Sequence, residues 1–271
     1  MRVNGTIITI SKGTRKYLYS DTIGKLVREL DRTKFKLVCW VNGESSWFRK
    51  KDFDFLWCSK FNTFKLPLNY LVREQAEGEV LVYLDDDIYF EDLKFLYDSV
   101  EVFKTLNRGY DVSVLSRLVW DGVRDERKNK EWERLPAKVK IKKTKWRHAK
   151  DVDPGFNSWT PVKDGRFAFL RGNPNTYYWL GGFLIFDLEK VKNLPFGYIF
   201  PFGTDIIGQG YFFDRLGLKR ASFFSESPIY HLGATSVDLF SKEHGAETVR
   251  LVRNKAREIT ELRVKWIKRA L

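Results

Sequence analysis

Sulfur and side-chain amide are scarce in this chain: two cysteines, one methionine and two glutamines. Two thiols, Cys39 and Cys58, exclude a disulfide framework and an all-cysteine zinc site. Both stand in apolar, strand-like runs and are read as buried thiols of a reducing compartment. A bond between them requires that their strands be neighbours. Long apolar runs are also missing, and none approaches the ~18 residues of a membrane-spanning helix. The start, MRVNGTIITIS, is too short in apolar residues for a secretory leader and reads as a first strand. A cytoplasmic protein is therefore expected. Acid is in deficit: 48 Lys and Arg face 35 Asp and Glu, a net charge of +13.

What is abundant is basic and aromatic. A 43% hydrophobic and 31% charged composition over 271 residues is that of a folded chain with a sizeable core. The charge suits an anionic partner: phosphorylated substrate, nucleic acid or an acidic membrane surface. It is unevenly spread, with twelve Lys or Arg against four acids over residues 124–150, and eight against three over residues 246–271.

Patterning predicts strands at Val3–Ile10, Lys36–Val41, Phe53–Cys58, Val80–Leu84 and Asp111–Leu115, with helices over Arg15–Leu30, Pro67–Glu77 and Glu91–Leu106 between them. Alternating β and α segments predict an α/β fold with a mixed, mostly parallel central sheet flanked by helices. Ligands of such sheets gather at the carboxyl ends of the strands. After Leu118 the alternation fades into a basic, Trp-rich insert. Strands follow at Phe183–Phe186 and Arg220–Phe224, a short helix over Thr204–Leu216 and a last helix over Glu247–Leu271. That last helix has one apolar face and a basic remainder with Trp266 near its end, a pattern shared by core-packing and membrane-surface helices.

At the end of the fourth strand stand three consecutive aspartates, Asp85, Asp86 and Asp87. Adjacent like charges repel unless something offsets them. One reading is a hard-oxygen cage for Mg²⁺ or Mn²⁺, with open positions for phosphates. The other is a solvated loop capping the helix that begins near Glu91.

The stretch Ala76–Asp87 (AEGEVLVYLDDD) resembles the A-x-G-E-x-(apolar)-L-D-x-D signature of GT-A-fold glycosyltransferases, in particular the inverting group related to polysaccharide synthases. Four further segments agree in order: Leu180–Phe186 (LGGFLIF), Pro201–Asp205 (PFGTD), Arg215–Lys219 (RLGLK) and Tyr230–Ser236 (YHLGATS). The resemblance implies a Rossmann-like GT-A fold in a single compact unit. Residues 1–117 would bind the nucleotide-sugar, residues 118–245 with the basic insert would bind the acceptor, and residues 246–271 would form the C-terminal helix.

Carried over by position, the resemblance gives Asp87 and Asp85 the metal, with His231 a further ligand or phosphate contact. An imidazole ligand favours Mn²⁺ over Mg²⁺. Asp205 becomes the general base that takes the acceptor's proton. Donor contacts fall to Thr9, Ser11, Asn42, Glu44, Asp85, Asp86, Gly181 and Gly182. Asn69 replaces the arginine usual at its position, with Arg73 one turn on as a substitute. Thr204 stands where the pattern has Glu. The expected partners are a nucleotide-sugar donor and a hydroxyl-bearing acceptor (a glycan, a lipid-linked or a protein acceptor), with peripheral membrane contact through the last helix. The expected activity is hexosyl transfer with inversion. The alternatives are a retaining transferase on the same fold, with Asp205 positioning the acceptor, and a basic nucleic-acid-binding protein. The latter is disfavoured because three aspartates oppose phosphate unless metallated.

Overall fold

The computed structural model describes residues 3–12, 19–20, 22–43, 46–60, 67–117, 120–121, 160–163, 166–170, 182–194, 217–224, 229–231, 247 and 251. Four strands come first: β1 (Gly5–Lys12), β2 (Phe35–Asn42), β3 (Phe55–Ser59) and β4 (Val80–Leu84). They lie in the order β3-β2-β1-β4 and all run parallel. Helix α1 (Ile23–Glu29) joins β1 to β2, and α2 (Leu68–Tyr70), continued by a wider turn of π type over Leu71–Gln75, precedes β4. Beyond β4 come β5 (Ile88–Phe90), α3 (Lys94–Tyr110), β6 (Val114–Arg117) and β7 (Trp120–Asp121). The rest are β8 (Thr160–Lys163), β9 (Arg166–Leu170), β10 (Phe183–Asp187), α4 (Leu188–Val191), β11 (Arg220–Phe224) and β12 (Ile229–His231).

Among the described residues the main sheet has nine strands in the order β3-β2-β1-β4-β10-β6-β11-β9-β8. Only β9 and β10 run against the others. Period-two alternation sends each strand's apolar residues to both faces, and the two faces carry separate cores. On one, Ile7, Val82, Leu84, Phe183 and Ile185 pack with Leu26 of α1 and with Phe95, Leu96 and Phe103 of α3. On the other, Ile8, Leu81, Tyr83, Leu184 and Phe186 pack with Leu68, Leu71 and Val72 around α2 and with Leu188 and Val191 of α4. Each buried Leu, Ile, Val or Phe contributes about 1.5–3 kcal/mol of transfer free energy. β1 and β4 are thus packed on both faces. Gly78, just before β4, has φ +93°, and a Cβ there would stand 2.6 Å from the Gly5 nitrogen. This is the close approach that lets β4 start beside β1.

A second sheet of three strands, β5-β12-β7, sits past the carboxyl end of β4. It is tied to the main body through aromatic contacts. Phe90 of β5 meets Phe95 of α3 at 4.7 Å between ring centroids, and Phe95 meets Phe183 of β10 edge-on at 5.3 Å.

Several expectations change. The helix expected over Pro67–Glu77 is three α-helical residues plus the π-type turn, and β5 occupies residues read as a loop. The insert expected to be irregular carries the β8–β9 hairpin, which extends the main sheet through β11. Cys58 is exposed, not buried, because β3 is the outermost strand of the sheet. The two thiols are free. Their strands are neighbours, but Cys39 is opposite Leu56 and Cys58 opposite Val41, two residues out of register. The helix expected over Thr204–Leu216 lies outside the described residues. Of the last helix only Glu247 and Leu251 are described, both helical. Among the described residues no helix is long and apolar enough to cross a membrane.

Phe95→Ala should lower unfolding stability by about 3–5 kcal/mol, since it removes the ring linking β5 to β10 and leaves a cavity. Urea denaturation followed by tryptophan fluorescence reads this directly; a loss under about 1 kcal/mol would show that the aromatic link is not a main support.

Candidate active site at the end of the fourth strand

β4 ends at Leu84, and the chain turns immediately. The Ile88 amide donates to the Asp85 carbonyl at 3.3 Å, so Asp85–Ile88 form the turn that feeds β5. The strand-like alternation expected for Asp85 and Asp87 is broken here, and the three carboxylates part company. Asp86 continues the face of Leu84 and is buried, 7% exposed. It accepts a hydrogen bond from the Ser11 hydroxyl at 2.9 Å. Asp85 continues the face of Tyr83, whose phenol donates to its carboxylate, and the Asp85 amide donates to the Gly182 carbonyl at 2.8 Å. Asp87, also 7% exposed, occupies the second corner of the turn. Two of the three carboxylates thus accept hydroxyl hydrogen bonds from different strands, Asp86 from Ser11 of β1 and Asp85 from Tyr83 of β4.

Gly182 belongs to this geometry. Its φ is +106°, and a Cβ there would lie 2.7 Å from Ile88 Cδ1 and 3.7 Å from an Asp85 carboxylate oxygen. Only glycine lets the start of β10 approach the turn this closely.

Register brings a distant residue to the same place. In the small sheet His231 of β12 pairs antiparallel with Ile88 of β5, the residue after Asp87. The two are more than a hundred residues apart in sequence but are direct cross-strand neighbours. The structure describes His231 by this strand position.

The remaining expected residues fall into three groups. Thr9 is fully buried in β1, between β2 and β4. Ser11 is 4% exposed and its hydroxyl is engaged with Asp86, a strut between the ends of β1 and β4. Asn42, the last residue of β2, is buried opposite Lys12 and Ser59. Asn69 stands half-buried in α2. Arg73 points away from the aspartates. Its guanidinium donates to the Asn193 carbonyl at 3.4 Å, and the adjacent Lys192 reaches the Ala76 carbonyl at 3.5 Å, both near the beginning of β4. Glu44, Gly181 and Asp205 lie outside the described residues.

Cys39 was not expected near this site. Its thiol is pushed well up from the ordinary range, first by burial and then by the negative charge of Asp86, with Cys58 a smaller influence. The thiol therefore stays protonated beside Asp86 and brings no further negative charge to the strand end.

As donors, Asp85 and Asp87 suit a hard divalent cation, which is commonly held by one or two carboxylates with positions left for phosphate oxygens. Among the described residues, no three His, Cys, Asp or Glu side chains form a group that could hold a metal. His231, the further ligand named in the sequence reading, stands beside Ile88 by strand position. A cleft of about 840 Å³ opens at the opposite end of the sheet, lined in part by Glu77, Glu79, Lys104, Asn107 and Lys192. There Lys104 pairs with Glu79 at 2.7 Å, and the cleft lies away from the carboxyl strand ends where ligands of such sheets collect.

No family model matches the chain, and no curated protein matches it in sequence. Solved structures do match. S. aureus TarS 1–349 aligns with a TM-score of 0.51 at 14% identity, over 86% of this chain and 60% of that one. Its complex with UDP-GlcNAc aligns at 0.50 and 14% identity, over 86% and 59%. The longer S. aureus TarS structure aligns at 0.51 and 15% identity, over 88% of this chain and 38% of that one. The chain thus spans about 60% of the shorter TarS structure and well under half of the longer one. At this identity the likeness shows the fold, the GT-A α/β architecture expected from the ordered motifs.

Ser11→Ala removes a buried donor from a buried carboxylate and should cost about 1–3 kcal/mol of stability at neutral pH. Equilibrium urea unfolding measures it, and a change below about 0.5 kcal/mol would mean that the Ser11–Asp86 bond does not hold the turn.

Proposed function

We propose that this chain is a metal-dependent glycosyltransferase that moves a sugar from a nucleoside-diphosphate sugar to a hydroxyl acceptor with inversion. The observation that carries this reading is the carboxylate turn at the end of β4, with two of its charges anchored from β1 and β4 and His231 in register beside it. The fold supports it, since a protein of the same architecture is solved with UDP-GlcNAc. A site built for a cation and its phosphates accounts for the clustering of three carboxylates at the strand end of so basic a chain.

In this reading the three acids divide their work. Asp86 is the internal anchor, bound by Ser11. Asp85 and Asp87 hold the cation with His231, an oxygen-and-nitrogen set that suits Mn²⁺ or Mg²⁺. When bound, the divalent ion neutralises charge on the diphosphate leaving group. Gly182 lets the backbone at the start of β10 come close to the donor. Asp205 accepts the proton of the acceptor hydroxyl, a contribution of about 10²–10⁴-fold. Residues 118–245 supply the acceptor side, and the basic segment within them suits an acceptor that carries phosphate.

The test separates binding from chemistry. Mn²⁺ with a nucleoside diphosphate at a hundred times its Kd should stabilise the chain by about 2.7 kcal/mol, which is roughly 5–10 °C in Tm. Asp87→Asn should abolish that shift. Asp205→Asn should keep it while turnover of a productive donor falls about 10²–10⁴-fold. A wild-type chain that shows no shift across the common nucleoside diphosphates, with Mn²⁺ or Mg²⁺, would contradict the reading.

A further inference from the structure

Tyr83 is 4% exposed and packs among the apolar side chains on one face of the main sheet. In β4 it is flanked by Ile8 of β1 and Leu184 of β10, its direct partners in the ladder. A phenylalanine would bring the same ring to this place with no hydroxyl to satisfy. A buried tyrosine needs a partner for its phenol. This one donates to Asp85 Oδ1, two residues on along the same face. The other oxygen, Oδ2, lies on the side of Gly182, 3.7 Å from where a Cβ on that glycine would stand. Asp85 is the most exposed of the three aspartates, half-buried where Asp86 and Asp87 are each 7% exposed. Its backbone is held separately, by the bond from its amide to the Gly182 carbonyl. What the Tyr83 hydroxyl adds is control of one side chain: it engages one carboxylate oxygen and so fixes the direction of the other.

We propose that Tyr83 is a positioning residue for Asp85: its phenol holds the carboxylate so that Oδ2 is the oxygen presented to the cation. This rests on the cation site proposed above. A carboxylate with no fixed partner samples several orientations, and ordering it at the moment of binding costs free energy. A hydrogen bond made before the ion arrives removes that cost. Partners of this kind behind metal ligands typically contribute 10–100-fold in metal affinity. With Oδ1 engaged by the phenol, Asp85 meets the ion through one oxygen, which leaves more of the coordination shell to phosphate oxygens. The turn has other supports, the Ser11–Asp86 bond and the Gly182 carbonyl. The Tyr83 hydroxyl is therefore separable from the fold, and its loss acts on the direction of a single carboxylate.

The experiment is Mn²⁺ binding in the presence of a nucleoside diphosphate, followed by loss of the free-ion electron paramagnetic resonance signal, on the full chain. Tyr83→Phe keeps the ring and removes only the hydroxyl. It should weaken Mn²⁺ binding about 10–100-fold, while far-ultraviolet circular dichroism and Tm without Mn²⁺ stay as in the wild type. Titrations run well below the Tm of every variant, so that a loss of stability alone leaves the affinity unchanged. In an Asp85→Ala background, Tyr83→Phe should add nothing, because a residue that acts only through another is non-additive with it. If Asp85→Ala binds too weakly to titrate, Tyr83→Phe in the otherwise wild-type chain decides by its affinity set against its metal-free Tm. Binding within twofold of the wild type in Tyr83→Phe, whatever its Tm, or full additivity with Asp85→Ala, would overturn the proposal and leave the cation site standing. A wild-type chain that binds no Mn²⁺ would overturn the cation site itself, and this proposal with it.

Discussion

The Ser11 hydroxyl and the Asp86 carboxylate meet at 2.9 Å where two central parallel strands end. An ionised carboxylate buried to this degree without a donor is strongly destabilising. The bond therefore constrains more than its two residues. It holds the end of β4 against the end of β1. The turn at Asp85–Ile88 follows, and that turn starts β5. With β5 in place, β12 can pair with it and bring His231 alongside Ile88. This buried polar contact, together with the Phe90–Phe95–Phe183 aromatic contacts, links the main sheet to the small sheet on which the proposed site depends.

The division of the aspartates follows from the same constraint. A strand alternates its side chains, so Asp85 and Asp86 diverge to opposite faces and find different donors, Tyr83 and Ser11. Repulsion within the triplet is reduced by separation and by these hydroxyls, not by solvent alone. Cys39 contributes by remaining neutral, since burial and Asp86 both raise its pKa. In the proposed function a divalent ion completes the compensation.

Legibility in the sequence tracked how local each feature is. Val80–Leu84 and Arg220–Phe224 were readable to the residue because apolar runs are bounded by glycine, charge or turn signals. Ile88–Phe90 was not, because three residues between acids show no period, and only pairing with β12 makes them a strand. The β8–β9 hairpin was hidden for the same reason within a basic, aromatic stretch. At the site, the aspartates, Gly182 and His231 stood out through type and order. The strut role of Ser11, the burial of Thr9 and the direction of Arg73 depend on contacts 75 or more residues away in sequence, or on local helix geometry.

The account's central claim is that the turn after β4 is where a divalent cation meets a nucleoside diphosphate. Anomalous scattering at the manganese edge, from crystals grown with Mn²⁺ and a nucleoside diphosphate, addresses it most directly. The account predicts one strong peak within bonding distance of the Asp85 and Asp87 carboxylates and the His231 imidazole, with diphosphate oxygens completing the shell. A peak in the cleft at the other end of the sheet, or no peak at the turn, would contradict it.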